Sequence, residues 1–357
     1  MINYIAHWDR ILIQSRSEII NELKDYNFRA ICPINNSNKI EDSYFENINW
    51  KISKTKFFDL KAIYRLKKIL DDLDENSIVH VFTLKSGFFF MIASYFSKKN
   101  FKSTLSITGL GYIFSKRLST KLIKWFLRPI FILLINKTFK NIIYQNSSDQ
   151  NIFNKYSKFD NNSYLIESSG LPSNQYLLKQ KFNKQLKVIL AARLLEDKGI
   201  NQYLNLASQM NSPNVKFYLA GELDEGNPKS LSKKDLENIK NNKFVKYLGY
   251  LDLKKELKEY DVLISLSNHE GFSRVLLEAI YVGLYCIAYK NSGTEFIDNF
   301  QNTKILNSKN LEIINNEILK IVNTDKNISL QNREIINEKF STKNIANSFD
   351  KIYKMEF

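Results

Sequence analysis

The sequence predicts an α/β fold: two Rossmann-like, doubly wound domains of parallel strands facing a cleft. Three observations lead there. Short runs rich in Ile, Val and Phe alternate with amphipathic stretches, the order of β–α–β units. The alternation occurs in two series separated by a polar join. The 357 residues suffice for two domains of ordinary size.

The first series places strands at 2–6, 28–32, 78–82, 103–107 and 142–145, with helices at 16–26, 58–73, 87–96 and 115–139. Each strand is a short apolar run, the pattern of a strand covered on both faces. The second series places strands at 187–191, 215–220, 245–248, 262–265 and 286–289, again with helical periods between. The join around 168–187, SSGLPSNQYLLKQKFNKQLK, carries Gly170, Pro172 and a basic tail, a linker composition. These boundaries give a domain at 1–168, a linker at 169–186, and a second domain at 187–340. Residues 341–357 are amphipathic and are expected to form a helix packing back on the first domain. Ligands of open α/β sheets bind outside the carboxyl ends of the strands, so the site is expected in the cleft.

Composition narrows the partners. Lys and Arg number 52 against 37 Asp and Glu, a formal net charge of +15. Nucleic acid, an anionic membrane or a phosphorylated substrate suits that charge. Abundant Lys, Asn and Ile along the whole chain also give it a purely compositional origin. Cys32 and Cys286 lie far apart in apolar surroundings and read as reduced core residues of a cytosolic protein. The start, MINYIAHWDR, lacks a signal-peptide pattern. No run reaches the roughly 18 apolar residues of a membrane span. Neither zinc-ligand spacing, nor a Walker A loop, nor a Ser–His–Asp set is evident.

The run NHEGFSRVLLEAIYVGLYCIAYKNSGTE, 268–295, carries the chemistry. Glu270 ends an apolar strand, Gly271 follows, a helix begins, and Glu278 comes eight residues after Glu270. Helical rise separates two such carboxylates by roughly 12 Å, about the length of a sugar, diphosphate and ribose together. The helix amino end between them offers unpaired N–H groups and a positive dipole end, which suits a diphosphate. Arg193 and Lys198 flank a turn after the strand KVILAA, and both can reach one diphosphate. Taken alone, that turn reads equally as a solvated loop.

Taken together, A-R-L-x-x-x-K-G at Ala192–Gly199, the Glu270/Glu278 pair and Ser292-Gly293-Thr294-Glu295 resemble family 4 glycosyltransferases of the GT-B fold. The resemblance covers nearly the whole second half, including Tyr247-Leu248-Gly249 and a G-x-x-D-x-x-N-P run from Gly221 to Pro228. It looks closest to the bacterial branch that assembles capsule, O-antigen and glycoprotein glycans on a polyprenyl diphosphate. The resemblance implies that Arg193 and Lys198 neutralise the donor diphosphate and that Glu278 accepts from ribose hydroxyls. It implies that Glu270 lies near the transferred sugar, and it adds Gly221 to the donor site. The backbone N–H groups of Gly271, Phe272 and Ser273 would meet phosphate or sugar oxygens. The catalytic set is thus Glu270, Arg193 and Lys198, with no metal and no cofactor besides the nucleotide sugar. Ser273 departs from the family's proline, Tyr285 from another proline, Ala191-Ala192 from a small-Gly pair, and His269 from a frequent arginine.

The first half is less explicit. ITGLGYIF, which includes Thr108 and Gly109, resembles the same branch, although many family members have His where Thr108 falls. Its two glycines let backbone approach a ligand closely. His80, Lys85 and Arg16 are candidate acceptor contacts; each alone also reads as a structural or surface residue. Asp72-Leu73-Asp74 resembles the metal-binding D-x-D of a different glycosyltransferase fold, but it sits in an acidic helix end. Between Tyr112 and Lys140 the chain has many basic residues and no acidic one. Lys116, Arg117, Lys121, Lys124, Trp125 and Arg128 read as a basic amphipathic segment on an anionic membrane surface. A solvated basic face on a packed helix is the plainer alternative.

The expectation is a retaining, metal-independent hexosyltransferase, peripheral on the inner face of the cytoplasmic membrane. It would move a hexose or N-acetylhexosamine from a nucleotide sugar, UDP foremost, to a polyprenyl-diphosphate-linked saccharide. A UDP-sugar 2-epimerase shares the architecture but not the Arg193/Lys198 and Glu270/Glu278 set. A nucleic-acid binder accounts for the charge, yet no RNP motif or zinc finger supports it, and no nucleic-acid partner is expected.

Overall fold

A computed structural model describes residues 1–13, 16–34, 45–53, 56, 58–110, 128–129, 131–210, 212–324 and 326–355. The chain forms two units, Met1–Gly170 with Thr342–Phe357, and Leu171–Ser341.

Unit 1 is built on seven parallel strands: β1 Ile2–Ala6, β2 Phe28–Cys32, β3 Phe45–Asn49, β4 Ile78–Phe82, β5 Lys102–Ile107, β6 Asn141–Tyr144 and β7 Asn162–Leu165. Their spatial order is β3-β2-β1-β4-β5-β6-β7. The central strands β1 and β4 are buried along their whole length, which explains their largely apolar character, broken only by Asn3 and His80. Helix Leu60–Asp72 turns Ala62, Ile63, Leu66 and Leu70 into one core, with Trp50, Phe89 and Phe90. It starts where the Asp59 side chain accepts from Ala62 N at 3.1 Å. A second core holds Tyr4, Phe28 and Phe82 together with Phe349, Ile352 and Tyr353 of helix Thr342–Lys354. Each such side chain, fully buried, contributes about 1.5–3 kcal/mol, so this last helix is an integral part of unit 1.

Unit 2 has six parallel strands: β8 Leu186–Ala191, β9 Val215–Ala220, β10 Val245–Gly249, β11 Val262–Ser265, β12 Tyr285–Tyr289 and β13 Thr303–Leu306. Their order is β10-β9-β8-β11-β12-β13. The chain reverses its direction of growth at β1/β4 in one sheet and at β8/β11 in the other. Loops leaving the carboxyl ends of strands at such a reversal diverge and leave a crevice.

Three differences from the sequence reading have physical reasons. Strands β3, β7 and β13 were not anticipated; all three are edge strands. An edge strand tolerates polar residues such as those of FENIN and NSYL, and so carries little periodic signal. The segment expected to be a linker at 169–186 is instead ordered structure, and from Leu171 it belongs to unit 2. Lys179 there forms an ion pair with Asp261 at 2.8 Å, with 1% and 0% of the side chains exposed. Asp261 also accepts from Asn183 and from Lys187 N, so the buried charges are fully matched. Finally, of the helix expected at 115–139, residues 115–127 and 130 lie outside the described residues, while 131–138 are helical.

Candidate active site

In unit 2, the chemically singled-out residues converge on the loops around the β8/β11 reversal. Arg193 and Lys198 follow β8, Glu270 follows β11, Gly221 follows β9, and Ser292 and Gly293 follow β12. The loops interlock through backbone. Leu194 N donates to Glu222 O, Leu231 N to Leu194 O, and Glu196 N to Lys229 O, each at 2.9–3.0 Å. Gly221 has φ 147°, and a Cβ there would lie 1.8 Å from Ala192 O, so only glycine permits the loops to approach this closely. A Cβ on Gly293 would likewise stand 2.5 Å from the Glu270 Cβ, which fixes the turn 291–294 against the Glu270 loop.

Both expected cations are held by carboxylates. Lys198 Nζ lies 2.5 Å from Glu270 Oε1, with side chains 14% and 20% exposed. Arg193 Nη1 lies 2.6 Å from Asp224 Oδ2, and Asn227 Nδ2 donates to the same oxygen at 2.9 Å. Asp224 is buried whereas Arg193 is largely open to solvent. This geometry orients the guanidinium without enclosing it. Asp224 and Asn227 are the D and N of the G-x-x-D-x-x-N-P run, whose role the sequence reading left unassigned.

Glu278 lies on the helix Arg274–Val282 and is buried. Its Oε1 accepts from Tyr176 OH at 2.7 Å and from Arg274 Nε at 2.9 Å. Burial, and next the Glu278 charge, push the Tyr176 hydroxyl far above the ordinary tyrosine range, so it remains a hydrogen donor. A buried carboxylate thus tied through one oxygen is oriented to receive hydroxyl donors on the other. Sequence reasoning missed Tyr176 because it lies in the supposed linker. Arg274 was visible in principle, since i and i+4 residues share a helix face.

The amino end of Arg274–Val282 needs one correction. Ser273 N donates to Gly293 O at 2.9 Å, so that amide is unavailable to a phosphate. Phe272 stacks on Phe296 with centroids 4.3 Å apart, which positions the backbone before the helix.

The acceptor candidates of unit 1 separate into two groups. His80 does not end its strand but sits in the middle of β4, fully buried. Its Nδ1 pairs with Tyr353 OH at 2.6 Å and its Nε2 with Ser106 Oγ at 2.7 Å. Burial, followed by the Arg16 charge, holds its pKa well below the usual histidine value. Arg16 is buried too, with its guanidinium 4.9 Å over the Phe82 ring. Both are therefore core residues rather than acceptor contacts. Lys85, Thr108 and Gly109 follow strands β4 and β5 at their carboxyl ends. Lys85 Nζ donates to Ser53 O at 2.7 Å, and burial lowers its pKa to about 8, opposed by the Asp59 charge.

Of the expected membrane-contact residues, Lys116, Arg117, Lys121, Lys124 and Trp125 lie outside the described residues. Arg128 donates to Tyr156 O and Lys155 O and lies over the Tyr156 ring, so it packs on the end of helix Ser147–Ser157. Among the described residues no helix is long and apolar enough to cross a bilayer.

Two parallel-sheet α/β units, the second carrying this array at its switch point, define the GT-B fold of glycosyltransferases. Residues 177–339, almost all of unit 2, match the family model described as glycosyl transferases group 1. Over 159 residues the chain is 26% identical to the GtfA subunit of the UDP-N-acetylglucosamine–peptide N-acetylglucosaminyltransferase of Streptococcus agalactiae. That match covers 42% of this chain and 30% of the relative, so the shared part is under a third of that protein. Among solved structures, HepE of Anabaena in complex with UDP and glucose superposes with a TM-score of 0.74 at 16% identity, over 99% of both chains. Sucrose-phosphate synthase of Thermosynechococcus elongatus gives 0.80 at 15% identity, over 99% of this chain and 98% of that one.

Proposed function

We propose that this chain is a retaining, metal-independent glycosyltransferase. It takes a hexose or N-acetylhexosamine from a nucleotide sugar, foremost a UDP-sugar, and delivers it to a polyprenyl-diphosphate-linked saccharide. The observation that carries the reading is the array in unit 2. Two side-chain cations are held by carboxylates, Arg193 by Asp224 and Lys198 by the sugar-suited Glu270, and the helix that begins four residues after Glu270 carries the ribose-suited Glu278. UDP as the nucleotide agrees with HepE, whose solved complex contains UDP, and with the UDP-N-acetylglucosamine named for the streptococcal relative.

The bond between the anomeric carbon and the diphosphate oxygen breaks, and negative charge grows on the leaving diphosphate. Lys198 exchanges Glu270 for that oxygen, and Arg193, aimed by Asp224, meets the same group. With that exchange made when the donor binds, the cations need no further reorganisation as the charge develops. In the retaining course implied by the family resemblance, the acceptor hydroxyl attacks from the face the diphosphate leaves, and its proton passes to the departing phosphate oxygen. Glu270, released from Lys198, accepts from hydroxyls of the transferred sugar.

The lipid-linked acceptor, a role in capsule or O-antigen assembly, and attachment to the inner membrane surface rest on the resemblance of ITGLGYIF and on the basic segment 116–128. A thermal-shift and product-release screen across UDP-, GDP- and dTDP-sugars tests the donor. A UDP-sugar alone is expected to stabilise the protein and release its nucleotide when lipid-diphosphate saccharide is added. Stabilisation by none of the three classes defeats the proposal.

A further inference from the structure

Ser273 stands where the resembled family carries proline, and its side chain has an unexplained state. It is the N-cap residue of the nine-residue helix Arg274–Val282. The residue is 2% exposed, and its Oγ is shielded from solvent with no hydrogen-bond partner among the described residues. An N-cap serine ordinarily accepts from an amide of the first turn; this one caps none. Its own amide is taken by Gly293 O, a bond proline cannot make. The serine thus anchors the turn 291–294 through backbone and adds a hydroxyl that makes no hydrogen bond among the described residues. A buried polar group left unmatched is destabilising, and such groups recur where a ligand completes them.

We propose that the Ser273 hydroxyl is a ligand-binding group, donating its hydrogen to a phosphoryl oxygen of a nucleoside diphosphate at the amino end of this helix. The inference rests on the nucleotide-sugar reading above and names a residue that serves it through its side chain. The helix end carries positive partial charge and favours an anion. Lys198, paired with Glu270 three residues before Ser273, supplies a full charge to the same neighbourhood. No hydrogen bond among the described residues fixes the serine rotamer, so a turn about χ1 toward the ligand breaks none of them.

The test compares wild type with Ser273→Ala in two measurements: ligand-free thermal unfolding, and calorimetric titration with UDP and with uridine. The ligand-free variant is expected to melt about 2 °C higher, because an unmatched hydroxyl is gone. UDP is expected to bind the variant about tenfold more weakly, the loss of one charge-assisted hydrogen bond. Uridine, lacking phosphate, should bind both proteins equally. Equal UDP affinity overturns the inference, as does an equal loss for uridine. A lower melting temperature in the variant also overturns it, since the hydroxyl then has a structural partner. If wild type does not bind UDP, the assignment of UDP as the nucleotide fails and this inference with it; the wild-type titration tells that failure from the others.

Discussion

Replacing Glu270 by Gln separates two tasks assigned to one carboxylate. In the ligand-free site Glu270 holds Lys198 at 2.5 Å in a largely shielded pair. An incoming diphosphate competes for Lys198 and comes to lie beside the carboxylate. Two unit charges about 5 Å apart interact by roughly 1–3 kcal/mol, for effective dielectrics from about 80 down to about 20. Partial solvent access favours the lower figure, so losing the carboxylate charge should tighten UDP about fivefold. Gln preserves the side-chain shape, which keeps the turn packed against Gly293. Transfer should move the other way. Glu270 is the proposed acceptor for hydroxyls of the reacting sugar, and losing a charged acceptor there lowers kcat/KM by about 10–100-fold. Calorimetry with UDP and steady-state kinetics with the UDP-sugar read the two effects separately. Weaker UDP binding in Glu270→Gln would refute the reasoning, because the carboxylate would then support the nucleotide and not compete with it.

Three further outcomes are expected. Glu278→Ala should weaken UDP and uridine alike by about 100-fold, two hydrogen bonds to a charged group; a loss seen with UDP but not with uridine in calorimetry contradicts the ribose assignment. His80 is neutral in the folded chain because its pKa is depressed, while the unfolded chain takes up a proton near pH 6.5. Its contribution is therefore complete above about pH 6.5 and declines below it. Thermal unfolding at about pH 7.5 and about pH 5 should show a steeper loss in wild type than in His80→Gln, and equal slopes refute that account. Neutralising Lys116, Arg117, Lys121 and Lys124 together should release the protein from anionic vesicles in co-sedimentation; unchanged pelleting removes the interfacial segment from the proposal.

The central strands were legible because burial on both faces demands continuous apolar runs, as in KVILAA and SIVHVF. Edge strands such as Asn162–Leu165 escaped because half of their surface faces water. In the site, charged residues at motif spacing were readable, since their chemistry constrains both residue type and position. Their supports were not. Tyr176 looked like linker because Gly170, Pro172 and nearby lysines set the local composition. Composition does not register that Lys179 is matched by Asp261, just before the distant strand β11, or that Tyr176 reaches Glu278 across 102 residues. His80 misled for a related reason: the apolar run around it marks a strand but does not say that Tyr353 and Ser106 would satisfy both ring nitrogens.

The most direct measurement is a crystal structure of the protein grown with UDP. The account predicts the two phosphates within hydrogen-bond reach of Arg193 and Lys198 at the start of helix Arg274–Val282, with the ribose on Glu278 and the Lys198–Glu270 pair opened. Phosphates lying elsewhere, with that pair still closed, contradict it.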